Sequence, residues 1–157
     1  FDLIKNKSYD LSMTIATAPE AIRAFGLRVT ESRAAVYAAL HARPHASADE
    51  VYTAVADRMP QASRQSVYNA LNDFADAGLA RRIEPAGRSM LFELRVGDNH
   101  HHLVCTACGR VEDVDCAVGH APCLHPSDDH GFEVASAEVT YWGRCAECAS
   151  SATPAAS

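Results

Sequence analysis

The sequence predicts an α+β chain in two parts: helices closed by a short hairpin, then a smaller strand-rich module organised by cysteine pairs. Three observations carry that expectation. Helix-capping residues recur at Thr17, Thr30, Ser47 and Ser63, each ahead of apolar residues at helical spacing. Two strand-like runs, residues 79–83 and 90–94, follow around a Pro85-Ala86-Gly87 turn. The charge is uneven: residues 1–94 carry 11 Lys/Arg and 11 Asp/Glu, residues 95–157 carry 3 and 9, so the net −6 falls in the C-terminal part. All six cysteines and six of the eight histidines lie there as well.

Taken in order, residues 1–16 read as an N-terminal extension, with Met13 a candidate natural start, and no function is placed there. Thr17-Ala18-Pro19-Glu20 fits a capping box opening a first helix that stops at Gly26. Thr30 caps a second helix to about Ala42, with Val36 and Leu40 on one face. Ser47-Ala48-Asp49-Glu50 is another capping box, ahead of inward-facing Val51, Val55 and Met59. Ser63 opens a fourth helix whose Val67, Leu71 and Phe74 share a face, and Gly78 ends it. Helices followed by a hairpin is the layout of a winged helix-turn-helix, although the same order occurs in other folds. Residues 17–94 are read as that domain, 95–99 as a hinge, 100–149 as a second domain and 150–157 as a frayed tail. In the second domain, residues 100–105, 110–115 and 134–142 have strand character, with a short helix or irregular segment between.

Composition excludes several classes. At 157 residues and 48% hydrophobic the chain is too apolar for disorder and large enough for one sizeable domain or two small ones. Its longest apolar run, Ala34 to Leu40, is seven residues, too short for a membrane span or a signal-peptide core. A cytosolic location is therefore expected, where cysteines serve as metal ligands or redox groups rather than as a disulfide framework.

Cys105-Thr-Ala-Cys108-Gly109 and Cys145-Ala-Glu-Cys148 are the strongest chemical signal. Two residues between thiolates let both sulfurs reach one tetrahedral ion, and two such knuckles close its shell, as in structural zinc sites. The 36 residues between the knuckles imply an ion pinning two ends of a subdomain. A redox Cys-x-x-Cys is the competing reading. It is disfavoured because there are two pairs and neither precedes an obvious helix within a βαβ pattern. A deaminase site is disfavoured by the lack of a His-x-Glu followed by Pro-Cys-x-x-Cys. With a closed shell and no activated thiolate, no enzymatic activity is expected. A metal-storage or interaction protein is the third option. Cys116 and Cys123 receive no role.

His100-His101-His102 precedes the first knuckle. On a strand, His100 and His102 point to one face and His101 to the other, so the first pair can share an ion. A solvated histidine patch is the alternative.

Several motifs, in order, resemble the ferric uptake regulator family. They are Ser63-Arg-Gln-Ser-Val-Tyr-Asn-Ala-Leu71, Ala77-Gly-Leu79, His100-His-His-Leu-Val-Cys-Thr-Ala-Cys-Gly109 and Tyr141-Trp-Gly-Arg-Cys-Ala-Glu-Cys148. The similarity runs from about Ala18 to Ala149. Val-Tyr-Asn and the segment from Asp115 to Cys123 look like the family's actinobacterial, peroxide-responsive, catalase-associated branch.

The resemblance implies a homodimeric, metal-dependent repressor of palindromic operator DNA. Its N-terminal winged helix would be followed by a small α/β dimerisation domain. Structural Zn2+ falls on Cys105, Cys108, Cys145 and Cys148. A regulatory site carries over to His45, Glu93, His100, His102 and Asp113, whose nitrogen and oxygen donors favour Fe2+ or Mn2+. An ion drawing ligands from both domains would favour one interdomain arrangement. DNA contacts carry over to Arg28 and to the Ser63-capped helix, with Arg64, Gln65, Tyr68 and Asn69 facing outward. In the peroxide-responsive branch a ligand histidine is oxidised, here His45 or His100. One departure is Glu93, an aspartate in the best-known peroxide sensors and a glutamate in iron-level sensors, so iron sensing remains the alternative. A third metal site of some relatives maps to Asn99, His101, His120 and Ala137. It leaves His101 and His120 as candidate ligands, with His125 or His130 as substitutes.

Overall fold

Local capping and apolar spacing build the first half of the molecule much as the sequence expects. The computed structural model describes residues 11–85, 87–96, 100–115, 126–134 and 137–151. They belong to two units, Phe1–Val96 and Gly97–Ser157. Cys116, His120, Cys123 and His125, residues 97–99 of the expected hinge and the tail beyond 151 lie outside the described residues.

In the first unit the order is α1 (Leu11–Ala24), α2 (Glu31–Ala42), β1 (Ala46–Ser47), α3 (Ala48–Ala56), α4 (Arg64–Asp76), β2 (Arg81–Ile83) and β3 (Leu91–Glu93). The α1 boundary differs from expectation: the helix begins at Leu11, and Thr17 and Pro19 lie inside it rather than at its cap. Pro19 removes one backbone donor and crowds the carbonyl one turn earlier, a local cost that burial of Ala18 and Ile22 helps to offset. Gly26, at φ +74°, closes α1, with Leu27 N–H donating to Ile22 C=O and Gly26 N–H to Arg23 C=O. Gly78 ends α4 in the same left-handed way at φ +78°.

The other caps match their signals. Thr30 accepts from Arg33 N–H, Ser63 from Ser66 N–H, and Ser47 and Glu50 form a reciprocal capping box. The apolar stripes of α2, α3 and α4 meet in one core, including Val36, Leu40, Val51, Val55, Val67, Leu71 and Phe74. Met59 packs at its edge, past the end of α3. β1, a strand not anticipated, pairs with β3, as does β2, giving the order β1-β3-β2. Helices followed by the β2–β3 wing form a winged helix-turn-helix.

The second unit comprises β4 (His100–Cys105), β5 (Val111–Asp115), β6 (Thr140–Gly143) and α5 (Ala146–Ser150). Antiparallel β5 and parallel β6 flank β4. Of the run 134–142, only its last three residues are in β6, which extends to Gly143. Together the units give the α+β class expected.

Candidate metal centres and nucleic-acid face

The two cysteine knuckles meet because β4 and β6 run side by side. Cys105 ends β4 opposite Gly143, so the chain leaving β6 delivers Cys145 next to the first knuckle. Gly109 N–H donates to Cys105 C=O across the first knuckle's turn, and Thr106 N–H donates to Gly143 C=O. Cys145 is the N-cap of α5, so one pair does precede a helix, although a short one and outside any βαβ unit. All four sulfurs lie within 4.8 Å of one another, with Cys108 Sγ 3.8 Å from Cys145 Sγ. A tetrahedral ion with Zn–S bonds of about 2.3 Å separates neighbouring sulfurs by about 3.8 Å, so the cluster fits zinc.

The protonation chemistry agrees with that fit. Backbone N–H groups of Cys108 and Cys145 hold the Cys105 thiol down at about 5, whereas crowding by the Cys145 and Cys108 side chains pushes Cys148 up to about 12. Thiolates packed this closely suppress one another's ionisation, and a dication that replaces their protons removes the conflict.

The remaining donors fall into two sets, one per unit. In the first, Glu93 sits on the central strand of its sheet at 1% exposure. His45, just before β1, places Nε2 3.1 Å from Glu93 Oε2. His45 has φ +58°, a left-handed conformation that costs a non-glycine residue about 1–2 kcal/mol, so its ring is aimed at a conformational expense. Arg81, the direct cross-strand partner of Glu93, donates to the other oxygen, Oε1, from Nε at 2.8 Å and lies at 2.6 Å through Nη2.

In the second unit, His100 and His102 share one face of β4 with ring centroids 4.9 Å apart. Asp113, opposite His102 on β5, places Oδ1 3.5 Å from His102 Nε2 and 3.7 Å from His100 Nε2. His101 instead packs 6.2 Å from the Tyr141 ring. All three histidines are buried, so the solvated-patch reading fails. Neither set contains a thiolate, and buried carboxylate with imidazole is a donor chemistry that fits Fe2+ or Mn2+. Of the third-site candidates, His120 lies outside the described residues.

The face of α4 away from the core carries Arg64, Gln65, Tyr68 and Asn69, all exposed, as are Ser63 and Arg28. Gln65 donates to Asn69 at 2.8 Å, Arg64 lies over the Tyr52 ring at 4.5 Å, and both Arg64 and Tyr68 contact Asp49. Asp49, Tyr52 and Arg81 were not singled out in the sequence. Arg81 could have been found by pairing the hairpin about Gly87.

Residues 24–142 match the ferric uptake regulator family. The chain belongs to that family. Its members are metal-dependent transcriptional regulators rather than enzymes. The chain is 51% identical to the transcriptional regulator FurA of Mycobacterium tuberculosis over 134 residues, 85% of this chain and 91% of that one. It is 30% identical to the peroxide operon regulator of Bacillus subtilis over 137 residues, covering 83% and 90%. Among solved structures, the ferric uptake regulator of Pseudomonas aeruginosa with manganese superposes with a TM-score of 0.66 at 29% identity, covering 81% of this chain and 96% of that one. No helix among the described residues is long and apolar enough to cross a membrane.

Proposed function

We propose that this regulator is a cytoplasmic, homodimeric repressor of palindromic operator DNA that responds to hydrogen peroxide and controls catalase and other oxidative-stress genes. One Fe2+ or Mn2+ per chain is held by His45 and Glu93 from the first unit and by His100, His102 and Asp113 from the second. The observation that carries this reading is the thiolate-free donor set, grouped within each unit, with Glu93, His100 and His102 buried and His45 and Asp113 partly exposed. An ion that needs both groups favours the interdomain arrangement that unites them, and its occupancy then governs DNA affinity.

The roles of the chain's own residues follow. Glu93 and Asp113 supply negative charge, and the three imidazoles supply neutral nitrogen. Fe2+, when bound, supplies the one-electron chemistry that makes peroxide reactive, whereas Mn2+ is far less reactive in this way. With that ion bound, hydrogen peroxide would give one oxygen atom to a ring carbon of His45 or His100, its other oxygen leaving as water, and the oxidised ring would be a weaker ligand whose loss releases DNA. On the reading face, α4 offers Arg64 to guanine or phosphate, Asn69 to adenine and Tyr68 to a thymine methyl, with Gln65, Ser63 and Arg28 beside them. Dimerisation is supported by β6, which among the described residues is an edge strand with all four residues exposed, including Tyr141 and Trp142. Two copies would present two α4 helices to successive half-sites.

The deciding experiment compares Fe2+- and Mn2+-loaded protein with hydrogen peroxide, reading peptide mass and operator release. Oxygen gained on a peptide containing His45 or His100 in the Fe2+ form alone, with operator release, supports the proposal. No mass gain, with release that follows only the iron supply, selects the iron-level sensor. Glu93 in place of aspartate is the observation that favours this second reading.

A further inference from the structure

We propose that Arg81 is the resident counter-cation of Glu93: it holds one carboxylate oxygen while no dication is bound and so sets the concentration at which Mn2+ or Fe2+ binds. The inference rests on the reading of Glu93 as a regulatory ligand.

The geometry divides the carboxylate between two partners. Oε1 receives Arg81 through Nε at 2.8 Å and Nη2 at 2.6 Å, while Oε2 faces His45 Nε2 at 3.1 Å. The arrangement is built into the sheet, since β3 is the central strand, β2 brings Arg81 directly opposite Glu93, and His45 leads into β1 on the other side. A carboxylate at 1% exposure needs a positive partner, and a guanidinium stays charged at every accessible pH. Arg81 therefore holds Glu93 Oε1 in a fixed orientation before metal arrives.

Two consequences follow. With Oε1 engaged, Glu93 is offered to a cation through Oε2, as a one-oxygen ligand. The longer glutamate side chain is thus fixed in its approach despite its extra methylene. The Arg81 charge also repels an incoming dication, so the site is tuned to bind more weakly than its donors alone would allow.

The test uses full-length, zinc-replete protein and Mn2+, with free Mn2+ counted by electron paramagnetic resonance. Arg81→Met is expected to bind Mn2+ about tenfold more tightly, because one nearby positive charge is gone. Its metal-free form is expected to melt lower, with Mn2+ restoring more of the loss than in the wild type. Arg81→Lys, which keeps the charge, should stay within about threefold of wild type. Arg81→Gln provides the same neutral comparison if Arg81→Met does not fold. A part that is only structural predicts unchanged or weaker Mn2+ binding in the neutral variants, and that result overturns the proposal. Glu93→Gln separates the two levels. It should lose Mn2+ binding at least tenfold, and wild-type binding in that variant removes Glu93 as a ligand and the proposal with it.

Discussion

The two units of this chain are held together by different chemistry. The first buries a contiguous hydrocarbon core, with Leu40, Val55, Val67, Leu71 and Phe74 at 0% exposure. Among the described residues of the second, the buried positions are Val104, Cys105 and the three histidines. Its large apolar side chains Leu103, Phe132, Val134, Tyr141 and Trp142 face outward. One unit buries hydrocarbon, whereas among the described residues of the other the four-cysteine cluster that fits zinc stands beside few buried apolar side chains. The order of the second unit is therefore expected to depend on zinc more than that of the first.

The largest test of that contrast is zinc removal. Structural zinc is worth about 10–16 kcal/mol in small zinc-folded peptides, more than the core of the second unit can replace. Trp142, the only tryptophan, sits on β6 and reports that unit alone. Cys108→Ser or a strong chelator should therefore abolish the native Trp142 fluorescence while helical circular dichroism from the first unit persists. Loss of both signals together would end the idea of separate foundations.

The converse substitution is Phe74→Ala, which empties the middle of the helical core. It should cost about 3–5 kcal/mol by the denaturation midpoint of the helices, with zinc content unchanged. Smaller by design is His45→Gly. Glycine accepts the left-handed backbone freely and alanine does not, so metal-free His45→Gly should be about 1 kcal/mol more stable than His45→Ala, both having lost the imidazole beside Glu93 Oε2. The same variant should lose the extra stabilisation that Mn2+ confers on wild type. If the glycine and alanine variants melt alike without metal, the His45 backbone is not strained.

The smallest effect is at the Ser47–Glu50 box. Burial works to raise the Glu50 carboxyl, but hydrogen bonds from the Ser47 backbone and hydroxyl and the Arg43 charge bring it below its ordinary 4.5. Its stabilisation is thus present above pH 4.5 and lost as the pH falls through the depressed folded value. Glu50→Gln should flatten that acid limb of the stability curve. Ser47→Ala should cost about 1 kcal/mol at neutral pH.

The sequence exposed these differences unevenly. Caps at Thr30, Ser47 and Ser63 were legible because a helix terminus is satisfied by residues two or three positions away. The α1 start was not, because Thr17-Ala18-Pro19-Glu20 matches a cap locally while burial of Ala18 and Ile22 keeps the helix going through it. β1 was missed because two residues carry no periodicity, and its existence depends on β3 lying alongside. Resemblance singled out His100, His102 and Asp113 as candidate donors, whereas the facing of Asp113 and His102 is a property of strand register.

Sequence alone determined helices α2 to α4, the two knuckles and the exposed set on α4, since each depends on neighbours within a turn or two of chain. Tertiary structure decided that β1 pairs with β3, that β6 runs parallel to β4, and that Cys108 and Cys145, 37 positions apart, come within bonding reach of one ion. Those outcomes depend on which distant strands pair and in what register, and no local residue pattern encodes that choice.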